Sequence, residues 1–274
     1  MSDVFRFFLL GLGSGGLYAL LSLGVVLVYR GSGVVNFAAG AFALFGASVY
    51  YECQSGFGDA GAMIAAVLAT ALLGVLVQLL IMGPMRHSSP LARVVATLAV
   101  MSVIQQGAVI RYGTANRFVT GILPVRPVKV LGVFIGENYL YILGTAMVLL
   151  IGLSVLYTRT RFGLLTTAVA ENEIISASQG SSPQLIAAGN WALGGALAGL
   201  VGCLLVPISG LDTSVLPLSI VAALAAALVG GFNSFWLTVA GSLLIGVLQS
   251  ETNRYVTDVG WSQAIPFIVI IIFL

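Results

Sequence analysis

The sequence predicts an all-α protein that crosses a membrane several times, and its composition and hydropathy are the basis for this. The chain has 274 residues, of which 59% are hydrophobic and 7% are charged, whereas a soluble domain carries about 25% charged residues. Its mean hydropathy is +1.09. In lipid, long apolar runs satisfy their backbone groups as helices, and a membrane barrel would instead show alternating segments of about ten residues. The composition therefore argues against a soluble enzyme, a nucleic-acid-binding protein and a disordered tail.

Intervals without charge mark the candidate membrane spans. A helix needs about 20 apolar residues to cross the hydrocarbon core, and a charge at its centre costs roughly 2.5–3.5 kcal/mol. The intervals are residues 7–29, 31–51, 60–85, 94–110, 138–158, 183–211, 213–250 and 259–274. The seventh interval is long enough for two passes, so we expect about eight or nine transmembrane helices.

We expect one transmembrane domain over residues 1–274, because the composition shows no second domain. The two longest polar connections cover residues 111–137 and 158–182. The first residues, Met1-Ser2-Asp3, lack the basic region of a signal peptide, so the first apolar stretch is expected to be retained. The sequence ends in the apolar run IPFIVIIIFL. We therefore expect that the chain is cut there or continues in a longer parent protein.

The residues that carry most enzyme chemistry are scarce in this sequence. Its one lysine, Lys129, follows no Gly-rich segment of the kind that forms a phosphate-binding P-loop. Its one histidine, His87, has no partner at the spacing of a metal site or a catalytic triad. Cys53 and Cys203 lie far apart and are interpreted as packing residues. The sequence therefore predicts no catalytic residue, no metal site and no ATP site of the P-loop type.

Several neutral polar residues lie inside the predicted spans, and two interpretations of them remain open. They are Asn36, Thr97, Gln105, Gln106, Asn190 and Gln249. One interpretation is hydrogen bonding between helices, and the other is a weakly polar lining for an uncharged or zwitterionic solute. Asn36, Gln105 and Gln106 are the candidate pathway residues. Asn36 is the best of them, because Gly33 and Gly40 beside it favour an interrupted helix that exposes backbone groups.

The connection at residues 158–182 has an unusual composition. Its stretch 164–179 is rich in helix-forming residues, and Glu171 and Glu173 are its only charges. It is too polar to span a membrane and too apolar to lie free in water. Gly180 is a predicted helix stop, and Pro183 is expected to open the next span. A helix lying on lipid and a docking helix for another protein both fit, and the shortage of Lys and Arg favours docking.

This segment carries a family resemblance. The run TRFGLLTTAVAENEIISASQG resembles the cytoplasmic coupling segment of ABC-importer permeases, in the form seen in the branched-chain amino acid family. The positions that match are Arg161, Gly163, Ala168, Ala170, Glu171, Ala177 and Gly180. The opening GLGSGGLYALLSLGVVLVYRGSGVVNFAAGAF and the late LVGGFNSFWLTVAGSLLIGVLQS are similar to segments of the same family, in the same order.

The resemblance implies an ABC-importer permease fold and a permease subunit for branched-chain or other hydrophobic amino acids. It implies four kinds of neighbour: a homologous second permease, two ATP-binding-cassette subunits, an extracytoplasmic solute-binding protein and the lipid bilayer. ATP and magnesium would belong to the cassette subunits, and no cofactor or nucleic acid to this chain. The implied location is the bacterial cytoplasmic (inner) membrane, as a multi-pass protein.

The resemblance also implies an orientation and a set of coupling residues. Residues 158–182 would face the cytosol, and the N-terminus would then lie outside. The coupling residues would be Ala168, Ala170, Glu171, Ala177 and Gly180.

Three alternatives stay open at this stage. The first is a permease of the same family that is specific for urea or short amides. The second is a secondary carrier or channel that acts alone, against which the shortage of ionisable residues inside the spans argues. The third is a membrane-embedded enzyme, against which the single histidine argues.

Overall fold

The computed structural model describes residues 2–113, 117, 119, 121, 123, 126–130, 133–213, 215–255 and 259–274. Nearly all of these residues are helical. The helices are α1 (Ser2–Ser32), α2 (Ala39–Val77), α3 (Pro90–Tyr112), α4 (Glu137–Arg159), α5 (Arg161–Glu171), α6 (Glu173–Ser178), α7 (Pro183–Ser209), α8 (Val215–Val229), α9 (Phe235–Tyr255) and α10 (Val259–Phe273). The predicted all-α polytopic fold is confirmed.

Five of the described helical segments are long and apolar enough to cross a membrane. They are Val4–Ser32, Ala39–Met82, Pro90–Tyr112, Glu137–Arg159 and Pro183–Ser209, and two shorter apolar helices cover Leu216–Val229 and Gly260–Phe273. The predicted interval 213–250 is divided into α8 and α9, as its length indicated.

Helix α1 is the centre of the bundle. Its most apolar window is 83% buried, against 11% for the corresponding window of α3. Close packing with α9 depends on glycine: a Cβ added at Gly11 would lie 2.6 Å from the Val247 Cα, and one at Gly15 would lie 2.8 Å from the Leu243 Cα. Because the helices meet in opposite numerical order, α1 and α9 are antiparallel. Small residues at such contacts let membrane helices approach closely.

Helix α2 is two antiparallel helices joined by a tight turn. Gly58 interrupts it with φ 67° and ψ 177°, a conformation that favours glycine. A Cβ added at Gly46 would lie 2.6 Å from the Gly199 Cα and 3.2 Å from the Thr70 Cγ2. A straight helix would separate positions 46 and 70 by about 36 Å, at about 1.5 Å per residue. The fold-back at Gly58 therefore restores the two separate spans that the intervals 31–51 and 60–85 predicted.

A helix break lies between α1 and α2, as the sequence predicted. Gly33 has φ 63°, and residues 34–36 have no helical structure. The Asn36 Oδ1 accepts a hydrogen bond from the Ala38 N–H at 2.9 Å, and the Phe37 N–H donates to the Thr97 Oγ1 of α3 at 3.3 Å. The break is thus a closed, hydrogen-bonded turn at the start of α2.

A small hairpin stands in the connection before α4, where the sequence predicted only a polar loop. Strands β1 (Pro127–Val130) and β2 (Val133–Gly136) pair antiparallel, with Val128 opposite Ile135. In β2, Val133 and Ile135 are buried and Phe134 is exposed. This alternation is the period-two signal of a strand with one face on the protein.

Candidate functional site

The segment that resembles a coupling element folds as two short helices, α5 and α6. The predicted helical stretch 164–179 is divided at Asn172, whose backbone is extended at φ −156° and ψ 104°. The Asn172 side chain accepts from the Ile175 N–H at 3.0 Å and so caps α6. The predicted stop is observed: Gly180 has φ 87°, its N–H bonds the Ala177 carbonyl, and the Ser181 N–H bonds the Ser176 carbonyl. This is the Schellman arrangement of a helix end.

The start of α5 explains the spacing of its Arg-x-Gly motif. The Thr160 side chain caps the helix by accepting from the Gly163 N–H at 3.4 Å. A Cβ added at Gly163 would collide with the backbone of Tyr157 in α4. Only glycine therefore lets α5 turn back this closely against the end of α4.

All five predicted coupling residues lie at the surface. Ala168, Ala170, Glu171, Ala177 and Gly180 are exposed. Large apolar side chains accompany them: Ile174 is 82% exposed, and Leu164 and Ile175 are exposed too. We call α5 and α6 with these side chains the docking face. An apolar face with few charges at one end of a bundle is typical of a contact with another protein.

Beneath the docking face, a buried hydrogen-bond network ties α5 to the bundle. Asn190 of α7 is fully buried and receives a hydrogen bond from the Tyr157 hydroxyl of α4. Its Nδ2 donates to the Thr166 Oγ1 of α5 at 3.2 Å and to the Ile186 carbonyl at 2.8 Å. We call Tyr157, Asn190 and Thr166 the anchor. The anchor joins α5 to α4 and α7 through side-chain hydrogen bonds.

The end of α1 joins this anchor through an arginine. The Arg30 guanidinium lies over the Tyr157 ring at 4.6 Å from the ring centroid and over the Phe235 ring at 5.1 Å. Such cation–π contacts favour a cation that is partly removed from water. Tyr157 therefore connects α1, α4 and α7 at the level where α5 begins.

A large cavity lies behind the docking face, with a volume of about 670 Å³. We call it the basal cavity. Ala170, Glu171 and Glu173 form part of its wall, so two of the predicted coupling residues line it. Three arginines line it as well, namely Arg30, Arg86 and Arg93. In the described parts of the chain, the ion pairs are Arg111–Glu52 and Arg254–Glu251, and neither involves these arginines.

The predicted pathway residues do not come together. Asn36 is 2% exposed and holds the turn before α2. Gln105 lies on α3, and its Nε2 donates to the Thr213 carbonyl at 3.1 Å. Gln106 is exposed on the outer side of α3. The structure thus gives Asn36 and Gln105 hydrogen bonds within the chain and leaves Gln106 facing outward.

Two further cavities lie at the opposite end of the bundle from α5. One, of about 270 Å³, is mostly apolar and includes Tyr18, Gln249 and Gln263 in its wall. The other, of about 380 Å³, lies between Asn138 and Pro207. Among the described residues, no three His, Cys, Asp or Glu side chains are placed to hold a metal ion.

Sequence reasoning missed the residues that build this site from within. Tyr157 and Thr166 carry no motif of their own, and Asn190 was named only as a polar residue of a span. Arg30 could have been found from the sequence. It is a basic residue at the end of an apolar run, and it stands next to the interrupted segment 31–36.

Comparison with known proteins places these features in a family. The profile described as "Branched-chain amino acid transport system / permease component" matches residues 7–274. A probable branched-chain amino acid transport permease protein LivH of Methanocaldococcus jannaschii is 30% identical, over 88% of this chain and 79% of that protein. The permease protein BraD of Pseudomonas aeruginosa is 24% identical, over 88% of this chain and 83% of that protein.

A solved structure has the same fold. The PsaBC assembly of Streptococcus pneumoniae, solved with a Fab, aligns with a TM-score of 0.54 at 16% identity, over 97% of this chain and 89% of that chain. The helical fold and the matched profile agree with one another. The chain belongs to the family of permease components of branched-chain amino acid transport systems, and it is a multi-pass membrane protein.

Proposed function

We propose that this chain is the permease subunit of an ATP-driven importer for branched-chain and other hydrophobic amino acids, in the cytoplasmic membrane of a bacterium. Its relatives named for that solute class support the choice of solute. In this proposal the docking face lies in the cytosol, and the N-terminal end of α1 lies outside. A binding protein delivers the solute, and two cassette subunits hydrolyse ATP.

The observation that carries the proposal is the combination of an exposed docking face with a buried anchor. A helix that floated on its connections would not transmit a displacement. Here α5 is fixed by Thr166 and Asn190 to α7, and by Gly163 to the end of α4. A push on α5 therefore moves the helices that form the bundle.

The docking face is also part of the wall of the basal cavity, so a displacement of α5 would change the cavity. When a cassette subunit displaces Ala170 and Glu171, the cavity changes shape. We infer that nucleotide binding favours one shape and nucleotide release the other, so the ATPase supplies the difference in binding free energy that shifts the states. Ala168, Ala170, Glu171, Ala177 and Gly180 are the proposed coupling residues.

A second permease subunit is proposed to cover the outer side of α3. Gln106 is exposed there, four residues after Ser102, whose hydroxyl already donates to the Leu98 carbonyl of the same helix. Polar side chains in a membrane face a partner or a water-filled path, because lipid offers them no hydrogen bonds. We propose that the solute passes between the two subunits near this face, with Gln106 in its lining and Gln105 and Asn36 beside it.

Charge reversal at Glu171 tests the coupling role. The importer complex carrying Glu171→Arg is expected to assemble its membrane part and to lose both leucine uptake and solute-stimulated ATP hydrolysis. Asp59→Lys is the matched control, since Asp59 is an exposed carboxylate at the turn on the opposite face. Uptake of urea and acetamide is measured in parallel. Wild-type uptake and stimulated hydrolysis in the Glu171→Arg complex contradict the coupling role. Uptake of urea in place of leucine by the wild-type complex contradicts the assignment of hydrophobic amino acids as the solute.

A further inference from the structure

Two buried polar atoms in the wall of the basal cavity have no hydrogen-bond partner. They are the Oε1 of Gln78 and the Nε of Arg93, which find no partner among the described residues. Gln78 is 6% exposed. An unpaired buried polar atom costs about 1–3 kcal/mol, and most such atoms in folded proteins are paired. Two of them beside one cavity call for an explanation.

The local backbone around Gln78 is irregular as well. Gln78–Met82 form a single π-helical turn that follows α2, and Gln78 begins it. A short π-helical turn inside a helix is rare and is frequent at functional sites. Gln78 itself lies one α-helical turn after Gly74, which packs on Trp191 of α7, and it is one of the residues that line the cavity.

The Gln78 oxygen and the Arg93 nitrogen need opposite kinds of hydrogen-bond partner. An amide oxygen accepts hydrogen bonds, and a guanidinium N–H donates them. The Arg93 Nη1 already donates to the Ser32 carbonyl at 3.4 Å, which fixes the guanidinium at the edge of the cavity. Arg30 adds a second guanidinium whose described neighbours are aromatic rings. The cavity therefore suits a molecule with an anionic acceptor at one end and a cationic donor near it.

The rest of the wall combines apolar side chains with charged and polar ones, among them Arg86, Glu171 and Glu173. Val34, Met82, Ala187 and Phe232 line the same cavity. A volume of about 670 Å³ lies in the range of small-molecule sites. The guanidinium groups suit an α-carboxylate, the amide oxygen and the two glutamates suit an α-ammonium group, and the apolar residues suit a hydrophobic side chain.

We propose that the basal cavity is a release-side binding site for the zwitterionic head of a hydrophobic amino acid. Arg93 and Arg30 hold the α-carboxylate, and the Gln78 side-chain oxygen accepts from the α-ammonium group. A rotation of the Gln78 amide about its last side-chain bond, which has a broad torsional profile, presents that oxygen to the solute. The inference rests on the proposed function and adds where in the permease the solute is recognised. Since α5 forms part of the wall, displacement of α5 changes the affinity of this site.

The test is equilibrium binding of radiolabelled leucine to the importer complex in lipid nanodiscs, without ATP or binding protein. Unlabelled leucine competes fully. Leucinamide, which lacks the carboxylate, and 4-methylpentanoate, which lacks the ammonium group, each compete at least about tenfold more weakly. Gln78→Leu and Arg93→Gln each weaken leucine binding at least about tenfold, and Arg93→Lys weakens it less. Arg159→Gln is the control, because Arg159 is an exposed arginine at the same end of the bundle and does not line the cavity.

Three results overturn the proposal. The first is equal competition by leucine, leucinamide and 4-methylpentanoate, which means simple partition into an apolar space. The second is that inorganic phosphate or phosphatidylglycerol displaces the labelled leucine as effectively as unlabelled leucine does, which means an anion or lipid site. The third is unchanged binding in Gln78→Leu and Arg93→Gln complexes whose elution profile and melting temperature match the wild type.

Uptake measured on the same complexes separates this inference from the proposed function. ATP-driven leucine uptake without leucine binding at the cavity overturns the cavity site and leaves the importer function in place. Absence of ATP-driven uptake for every amino acid tested overturns the importer function itself.

Discussion

The hydroxyl of Tyr157 donates a hydrogen bond to the Oδ1 of Asn190 between α4 and α7, and both side chains are buried. The Nδ2 of Asn190 in turn donates a hydrogen bond to the Thr166 Oγ1 in α5. Three helices therefore meet at one amide. The docking face is therefore held to the bundle by a small group of buried polar atoms.

Tyr157→Phe removes this hydroxyl and leaves the Asn190 oxygen buried without its donor. We expect the free energy of unfolding to fall by about 1–3 kcal/mol, and ATP hydrolysis to become less dependent on solute because α5 is held less firmly. Thermal unfolding in detergent and solute-stimulated hydrolysis measure the two effects. Tyr141→Phe is the matched control on the same helix, since the Tyr141 hydroxyl donates to Glu137 at an exposed position. It should change stability by less than about 0.5 kcal/mol, and equal losses in the two variants contradict the anchor.

Ile174→Ser tests whether the docking face is a protein contact. Ile174 is 82% exposed, so the substitution removes little packing within the chain and should leave its melting temperature unchanged. If a cassette subunit covers this side chain, the complex should lose that subunit during size-exclusion chromatography.

Phe57→Ser provides the comparison for this experiment. Phe57 is 74% exposed at the tight turn of α2, at the opposite end of the bundle. The Phe57→Ser complex should keep its cassette subunits. If the Ile174→Ser complex also keeps its cassette subunits, α5 and α6 are not the contact with these subunits.

The sequence was most informative where the signal is local. Hydropathy along a span depends on neighbouring residues alone, so most predicted intervals agree with the helices within about five residues. The start of the interval 31–51 was wrong: residues 31 and 32 end α1, and α2 begins only at Ala39, because the helix break carries no charge that hydropathy could register. The two halves of α2 were predicted as separate spans because the polar stretch between them is visible in the sequence. Gly180 and Pro183 likewise act through their own backbone, and both end or begin a helix where predicted.

The sequence was less informative where structure depends on distant contacts. The stretch 164–179 was expected to be helical, and the break came from Asn172, whose side chain competes for a backbone N–H. Burial of Gln78 and Thr166 results from the packing of helices that are far apart in the chain, so no pattern near these residues indicates it. Asn36 shows the reverse case: the predicted interruption is present, and its side chain serves the turn itself.

Two polar residues of the proposed pathway are expected to differ when they are replaced: one substitution should lower stability, and the other should slow transport. Asn36→Ala leaves the buried Ala38 N–H without its acceptor and should lower stability by about 1–3 kcal/mol. Gln106→Leu changes an exposed residue and should leave the melting temperature unchanged while slowing leucine uptake. Initial uptake rates in proteoliposomes, corrected for the amount of complex, are the measurement. Normal uptake by the Gln106→Leu complex removes Gln106 from the pathway.

Close packing of α2 against α7 gives a prediction about assembly of the bundle. At Gly202, an added Cβ would press on the Ala43 carbonyl and lie 2.8 Å from the Ala47 N. The contact is with backbone, which cannot rotate away, so Gly202→Ala should destabilise the chain by about 1–3 kcal/mol.

Gly152→Ala decides whether that loss is steric or a general property of glycine replacement. Gly152 lies inside α4, and a Cβ added there has no atom within 4 Å. Since alanine favours a helix over glycine by about 1 kcal/mol, Gly152→Ala should keep or raise the melting temperature. Thermal unfolding of both variants in the same detergent makes the comparison. A fall of similar size in both would mean that the two glycines serve backbone freedom, and the close approach of α2 and α7 would then contribute little to stability.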